Sequence, residues 1–498
     1  MQLAFQKEMI SCMNPLLRDT QTQEQTQEIR VSDGMPDIGS ILSTWGQVIL
    51  RGKEWDGDTV TVGGGTMVWV QYLPEEGGNP ETVECWLPFQ MRWKTDPTQH
   101  EGMLLTQLLL KSVDARTTSA RKMIIRTNVS ALMQAMEHCQ KELYQTEEIP
   151  EDVQLCIQSY PALLTAEAGE KAFSLEETFS PQQPNLQPEK LCGYWLQPEI
   201  TEHRIMGDKV VFRGNTALCV LYQCQDGSMH SESFDLPFSQ YSELDAGYDD
   251  DAEAVFWPVV TSVEMELEEN KFRCKAGITG QYEIRHRPVL RLVTDAYSPN
   301  RDVSLQCEQL ELPAILESKV QTLYAQFSAP TEAMQVAATQ FLPQAATVDA
   351  SDSAVTVAMQ GRFQNLSYTL EGVPQNQNGK WEDTLQIPIA DGCIVDATLW
   401  PTGRTQSNLL SGQLQQKEEL KLQTDTRMKG GIPMVTALEL GELRQPDPGR
   451  PSLILCRAGE RSLWELAKAS GSTVADIQKA NDLYAEPEAD RMLLIPVK

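Results

Sequence analysis

The sequence predicts a mainly β protein, with three tandem β-sandwich-like repeats followed by a small βααβ domain. Three observations lead there: a recurring strand–turn–strand block, hairpin chemistry between its strands, and helix-capping signals confined to the last half-hundred residues. The block first runs from Gly57-Asp58-Thr59-Val60 through Gly64 and Val68-Trp69-Val70-Gln71-Tyr72 to Leu87-Pro88-Phe89. It returns from Gly207-Asp208-Lys209-Val210 through Gly214 and Leu218-Cys219-Val220-Leu221-Tyr222 to Leu236-Pro237-Phe238. A weaker third form is marked by Asp352, Val355, Gly361, Tyr368 and Ile387-Pro388-Ile389. Glycine and proline are 24 residues apart in the first (Gly64, Pro88), 23 in the second (Gly214, Pro237) and 27 in the third (Gly361, Pro388). Unlike residues in one order at near-constant spacing indicate one supersecondary unit used repeatedly.

Each element has a local reason. Residues 1–30 are polar around Ile10, Met13, Leu16 and Leu17, and read as a lead-in strand or short helix. Pro36 makes a turn, followed by a short amphipathic turn of helix feeding a strand from Gly46 to Arg51. A weaker counterpart, Pro184-Asn185-Leu186, precedes the second block. Val210-Val211-Phe212 and Ala217 to Tyr222 are apolar at both parities, so both faces of these strands should be covered. Asp226-Gly227 and Asn378-Gly379 suit tight hairpin turns. A glycine inside a strand marks a bulge or close backbone approach, and a proline fits a strand edge or end. Two further strands are expected after each block, opening at Ser112-Val113 and Ser262-Val263. Their basic residues Arg121, Lys122, Lys271 and Arg273 read as a solvated strand face.

Linkers are expected near 145–150, near 296–303 and at 444–451, where three prolines and a glycine exclude helix and central strand. The domains are therefore 1–146, 147–300, 301–443, the linker 444–451 and the module 452–498. In the module, Leu453 to Cys456 is a strand, Ser462-Leu463-Trp464-Glu465 a capping box, and Gly471 a helix stop. Thr473-Val474-Ala475-Asp476 caps a second helix that Asn481 ends, and Met492 to Pro496 is the return strand.

That order of residues resembles the LysM module: Gly459-Glu460, Leu463-Trp464, Thr473-Val474, Asn481 and Leu494-Ile495-Pro496 match its pattern over about 45 residues. The resemblance implies partner- or glycan-binding residues at Gly459, Glu460, Ser462, Leu463, Trp464, Asn481 and Leu483. For Leu463 and Trp464, core packing fits as well as a contact surface. The turn at Gly459-Glu460-Arg461-Ser462 is one residue longer than usual, and Glu488-Ala489-Asp490-Arg491 replaces the usual Pro-Gly. Both departures lie where the family holds N-acetylglucosamine glycans, which suits a module that reads protein rather than sugar. The Pro36-Asp37-Ile38 turn, the Gly-Asp-x-Val strand, the Leu-Pro-Phe end and Ser119-Ala120-Arg121-Lys122 resemble the SPOCS domain of clostridial spore-coat morphogenetic proteins. Three SPOCS copies over roughly residues 9–440 with one LysM module look like the SipL organisation, functionally akin to the bacillar protein SpoVID. The resemblance implies a non-enzymatic scaffold or adaptor in endospore coat assembly. It would be cytoplasmic in the mother cell, at the forespore surface, with a morphogenetic ATPase or another coat protein as partner. A glycan-binding LysM protein is the alternative.

The totals bound the rest. A net charge of −29 over 498 residues repels phosphate backbones, which excludes a nucleic-acid partner. No apolar run reaches the roughly 18–20 residues that cross a bilayer, and Met1 to Glu8 does not read as a signal peptide. The eleven cysteines include no Cys-x-x-Cys pair and read as buried single thiols in a reducing compartment. Of His100, His138, His203, His230 and His286, none sits at ligand or catalytic spacing. Asp249-Asp250-Asp251 with Glu253 reads as a solvated acidic turn. No cofactor, metal or catalytic residue is expected.

Overall fold

The computed structural model describes residues 2–96, 102–145, 149–160, 162–183, 185–351, 354–390, 392–445, 449 and 451–497. His100, residues 146–148 of the first linker, Pro184, Asp352, and residues 446–448 and 450 of the proline-rich linker lie outside them.

Strand dominates, as the sequence predicts. The first stretch comprises β1 (Gln2–Ala4), β2 (Gln6–Arg30), β3 (Ile38–Asp56), β4 (Thr59–Pro74), β5 (Glu81–Lys94), β6 (Gly102–Ser119) and β7 (Lys122–Gln145). One antiparallel sheet has the order β3-β4-β5, and a second β2-β7-β6. Val60, Val62, Val68, Leu87, Phe89, Val113, Met123, Ile125 and Val129 form one buried cluster between them. The lead-in is thus a strand. The turn of helix expected after Pro36 is not formed: Ile38 to Leu42 already belong to β3, paired to β4 from Pro74. Nor is Arg121 an idle solvated residue. Its guanidinium donates to the carbonyls of Met35 (2.6 Å) and Ser32 (2.7 Å) and to Asp37 (2.8 Å), tying down the loop before β3.

The next stretch holds β8 (Gln154–Tyr160), β9 (Leu164–Phe179), β10 (Pro188–Cys224), β11 (Met229–Tyr248), β12 (Glu253–Glu268), β13 (Lys271–His286), β14 (Leu290–Tyr297) and β15 (Arg301–Leu310). Here β12-β13-β9 form one sheet and β10-β11 another. β10 does not run straight for its 37 residues. Its halves lie side by side, with the Glu199 carbonyl against Gly214. Then come β16 (Ile315–Pro330), β17 (Ala333–Pro343), β18 (Thr347–Ala350), β19 (Ala354–Thr369), β20 (Pro374–Asn376), β21 (Gly379–Pro388), β22 (Cys393–Pro401), β23 (Gln406–Leu410), β24 (Gln413–Met428) and β25 (Ile432–Leu443). β16-β24-β22 form a sheet joined by β23, and β19 pairs with β17, β18, β20 and β21. The N-terminal β1 adds to β25, which pairs with β15.

Registers explain the recurring motif. Gly64 faces Phe89, Gly65 faces Pro88 and Thr66 faces Leu87. Gly214 faces Phe238, Asn215 faces Pro237 and Thr216 faces Leu236. Pro88 and Pro237 sit on β5 and β11, each paired on one side only, where a missing N–H leaves no ladder bond unmade. In both cases the glycine is a close approach. A Cβ at Gly64 would press on the Ile49 carbonyl and lie 2.7 Å from the Phe89 ring; at Gly214 it would press on the Glu199 carbonyl, 2.5 Å from Phe238. Gly214→Ala is therefore expected to destabilise by about 1–3 kcal/mol, because a backbone carbonyl cannot step aside; urea unfolding measures it. The third occurrence departs. Gly361 faces Trp381, so Trp381 stands where Phe89 and Phe238 stand, and Pro388 pairs with Ala354 instead. The longer 27-residue spacing from Gly361 to Pro388 reflects that shift.

The sheets are buried against one another. Trp45 of β3 stacks on Trp195 of β10, centroids 5.2 Å apart, in a cluster that also takes Trp69, Tyr222, Phe272, Ala337 and Leu366. This is why β4 and β10 are apolar at both parities. A separate cluster gathers the chain's strand ends: Phe5, Cys12 and Leu143 with Leu290, Leu292, Ile432 and Leu438.

Candidate functional site

After the linker the chain forms β26 (Leu453–Arg457), α1 (Leu463–Ser470), α2 (Val474–Asn481) and β27 (Met492–Pro496), with β26 antiparallel to β27. Ser462 caps α1. Its hydroxyl accepts from the Glu465 amide (3.2 Å) while Glu465 accepts from the Ser462 amide (2.8 Å), the reciprocal box that its spacing predicts. Thr473 caps α2, accepting from the Asp476 amide at 3.1 Å. Leu463, Leu466, Ala467, Ile477, Leu483, Leu493 and Ile495 form the core of the segment.

The candidate binding residues come together in this segment, and most are engaged within the chain. Leu463 and Leu483 are buried in its core. Asn481 ties α2 to the ribbon, its amide nitrogen donating to the Leu494 carbonyl (2.6 Å) and its oxygen accepting from the Leu494 amide (2.7 Å). The Gly459 amide donates to the Ala489 carbonyl, and Glu460 is exposed. Trp464 turns toward β14. Its indole N–H donates to Asp295 at 2.8 Å, and its ring meets Tyr297 edge-on at 4.8 Å. Lys468 donates to both oxygens of Asp295 at 2.7 Å. The Tyr297 hydroxyl donates to the Ser472 carbonyl at 3.1 Å. Burial, then the Asp295 charge, pushes that phenol up to about 12, so it keeps its proton as donor. The outward apolar side chains are on the ribbon instead: Leu453, Leu455, Met492 and Leu494, with Tyr484 beyond α2.

Asp295 and Tyr297 are the residues sequence reasoning misses. Their one signal is an i, i+2 spacing that sets two polar-tipped side chains on one strand face, and any solvated strand edge shows the same. Asp295→Ala is expected to speed amide exchange in residues 463–470 by about ten- to a hundredfold, since a charged hydrogen-bond acceptor contributes roughly 1.5–3 kcal/mol; hydrogen-exchange mass spectrometry reads it.

His230 accepts or donates locally, with Ser228 at 3.0 Å and Gln335 at 3.1 Å; Asp249, Asp250 and Asp251 stand in the turn between β11 and β12. Among the described residues, no three His, Cys, Asp or Glu side chains are grouped to hold a metal ion. Nor, among the described residues, is any helix long and apolar enough to cross a membrane.

Fold and site together define a mainly β, multi-sheet chain with a small helical appendage pinned to β14 through Trp464, Lys468 and the Ser472 carbonyl. Residues 187–268, covering β10, β11 and β12, match the family model of the SipL SPOCS domain. That segment is similar to a SPOCS domain, which points to a sporulation coat-related role. No curated protein and no solved structure matches the chain.

Proposed function

We propose that the chain is a non-enzymatic scaffold or adaptor of endospore coat assembly, built from three related SPOCS-like units and a LysM-like module. The SPOCS match over 187–268 carries this reading. The shared register around Gly64 and Gly214 supports a second unit of the same kind before it, and the strand–helix–helix–strand order at 453–496 supports the LysM likeness. The protein works in the mother cell at the forespore surface, and its module docks to a morphogenetic ATPase arrayed there. Many copies on an arrayed partner turn a modest single contact into firm attachment. The test is a fluorescent fusion lacking residues 452–498 in sporulating cells. It should fold yet stay diffuse while the full chain rings the forespore. Normal localisation of the truncated chain would remove the docking role, and saturable binding of chitin oligomers by the full chain would favour the glycan alternative.

A further inference from the structure

The cysteines read from the sequence as single thiols include a pair. Cys12 of β2 and Cys139 of β7 stand directly opposite in the antiparallel ladder, and their sulfurs are 3.3 Å apart. Directly opposed residues in such a ladder have Cα atoms about 4.5–5.5 Å apart, inside the roughly 4.4–6.8 Å that a disulfide spans. The two thiols differ in access: Cys12 is fully buried, while Cys139 is half-buried. We propose that Cys12 and Cys139 are a modification site, a dithiol that a low-molecular-weight disulfide oxidises to an intramolecular cystine.

The steps balance. The Cys139 thiolate attacks one sulfur of the small disulfide and forms a mixed disulfide, expelling the other half as a thiolate. Cys12 gives its proton to that thiolate and attacks the Cys139 sulfur, expelling the second half. Two protein thiols become one cystine, and the small disulfide is reduced to two thiols. Cys139 is suited to the first attack. The hydrogen bond from Cys12 and the nearby Lys141 bring its thiol down to about 7, whereas the same bond and burial push Cys12 up. A thiol near ambient pH combines thiolate population with nucleophilicity. By contrast, burial pushes Cys85 and Cys274 up to about 12.

The position gives the bond a consequence. β2 pairs on one side only, and just before it β1 crosses to β25, the last strand before the linker. Cys12 also belongs to the cluster where these strand ends pack. A cystine there fastens the arm that carries β1 onto β25.

The test uses the full chain, reduced, desalted and treated with oxidised glutathione, then denatured in acid for thiol counting and non-reducing peptide mapping. The wild type should fall from eleven free thiols to nine, with a Cys12–Cys139 cross-link and no retained glutathione. Cys12→Ser should retain one glutathione on Cys139, because the resolving thiol is gone; Cys139→Ser should leave Cys12 unmodified. Eleven thiols retained in the wild type, a stable glutathione adduct at Cys139, or cross-links through other cysteines such as the exposed Cys307 would each overturn the proposal. The wild-type mapping decides it even where a serine variant folds poorly.

Discussion

Arg285→Met is expected to destabilise the protein by about 3–5 kcal/mol near neutral pH, the range for breaking a buried ion pair by removing one partner. Arg285 is wholly buried on β13. Its guanidinium holds Asp425 of β24 with two nitrogens, at 3.1 and 2.9 Å, and Glu283 at 2.9 Å. The carboxylates are secured in turn: Ser318 of β16 donates to Asp425 at 2.6 Å, and Gln134 of β7 to Glu283 at 2.9 Å. Four sheet-forming strands thus meet on one cation. Methionine fills similar space but removes the cation hydrogen-bonded to both buried carboxylates. Burial alone would raise the Asp425 carboxyl; the Arg285 charge and hydrogen bonds overcome it and hold it below the usual range. Stability from that depressed acid is present above the unfolded carboxyl pKa and is lost as pH falls through the folded value. In the variant Asp425 loses the charge that holds it down and burial favours its protonated form, so the deficit should shrink from pH 7 toward pH 5. Urea unfolding followed by tryptophan fluorescence at both pH values measures this. Replacing Arg285, Asp425 and Glu283 together by apolar residues should recover much of the loss, because an apolar set leaves no orphaned charge. A single-variant loss under about 1 kcal/mol would show that the network is not a joint.

The same network shows where sequence legibility stops. The strands, the Asp226-Gly227 hairpin, the two-faced burial of β10 and the capping box are local, and alternation and turn chemistry reveal them; Asn378-Gly379 makes no tight turn, which falls instead at Gly372, with φ 75° and its amide donating to the Thr369 carbonyl. Glu264, Glu266 and Glu268 line the exposed face of β12 as their spacing implies, whereas Glu269, expected on the same face, stands in the turn before β13. Glu283, Arg285 and Asp425 lie in equally polar-looking strands, yet they are buried because other sheets close over them, and no local pattern marks that. Ile38 to Leu42 reads as a helical turn until β4 is there to pair with it. The candidate site divides the same way. Its residues sit together in one short segment, which the capping signals reveal. The contact of Trp464 with Asp295 joins positions 169 residues apart, and Cys12 meets Cys139 across 127. Contacts of that range depend on register and packing, which a single sequence does not carry.

Glu418→Gln is expected to stabilise the protein, by about 3 kcal/mol above pH 7. Glu418 lies on β24 with 1% of its surface exposed, accepting from the Gly403 amide at 3.0 Å and from the Thr405 hydroxyl. Among the described residues no cation is paired with it, and burial pushes its carboxyl up to about 7, with Glu419 adding to the rise against the bonds from Thr405 and Gly403. The unfolded chain releases this proton near the ordinary value of 4.5. Between those two values the folded state holds the proton and the unfolded state does not, so stability falls as pH rises through that window. Each pKa unit is worth about 1.36 kcal/mol, and the full penalty is present above pH 7. Glutamine keeps an oxygen for the Gly403 amide and carries no charge to bury, while its NH2 can donate to the Thr405 hydroxyl, which accepts as readily as it donates. Wild type and variant should therefore match near pH 4, diverge from pH 4.5 to 7 and stay parallel above. Urea unfolding across that range gives the difference directly, because the other titrating groups are common to both chains. Parallel profiles throughout would mean that Glu418 is already ionised in the fold and that its hydrogen bonds, rather than burial, set its charge.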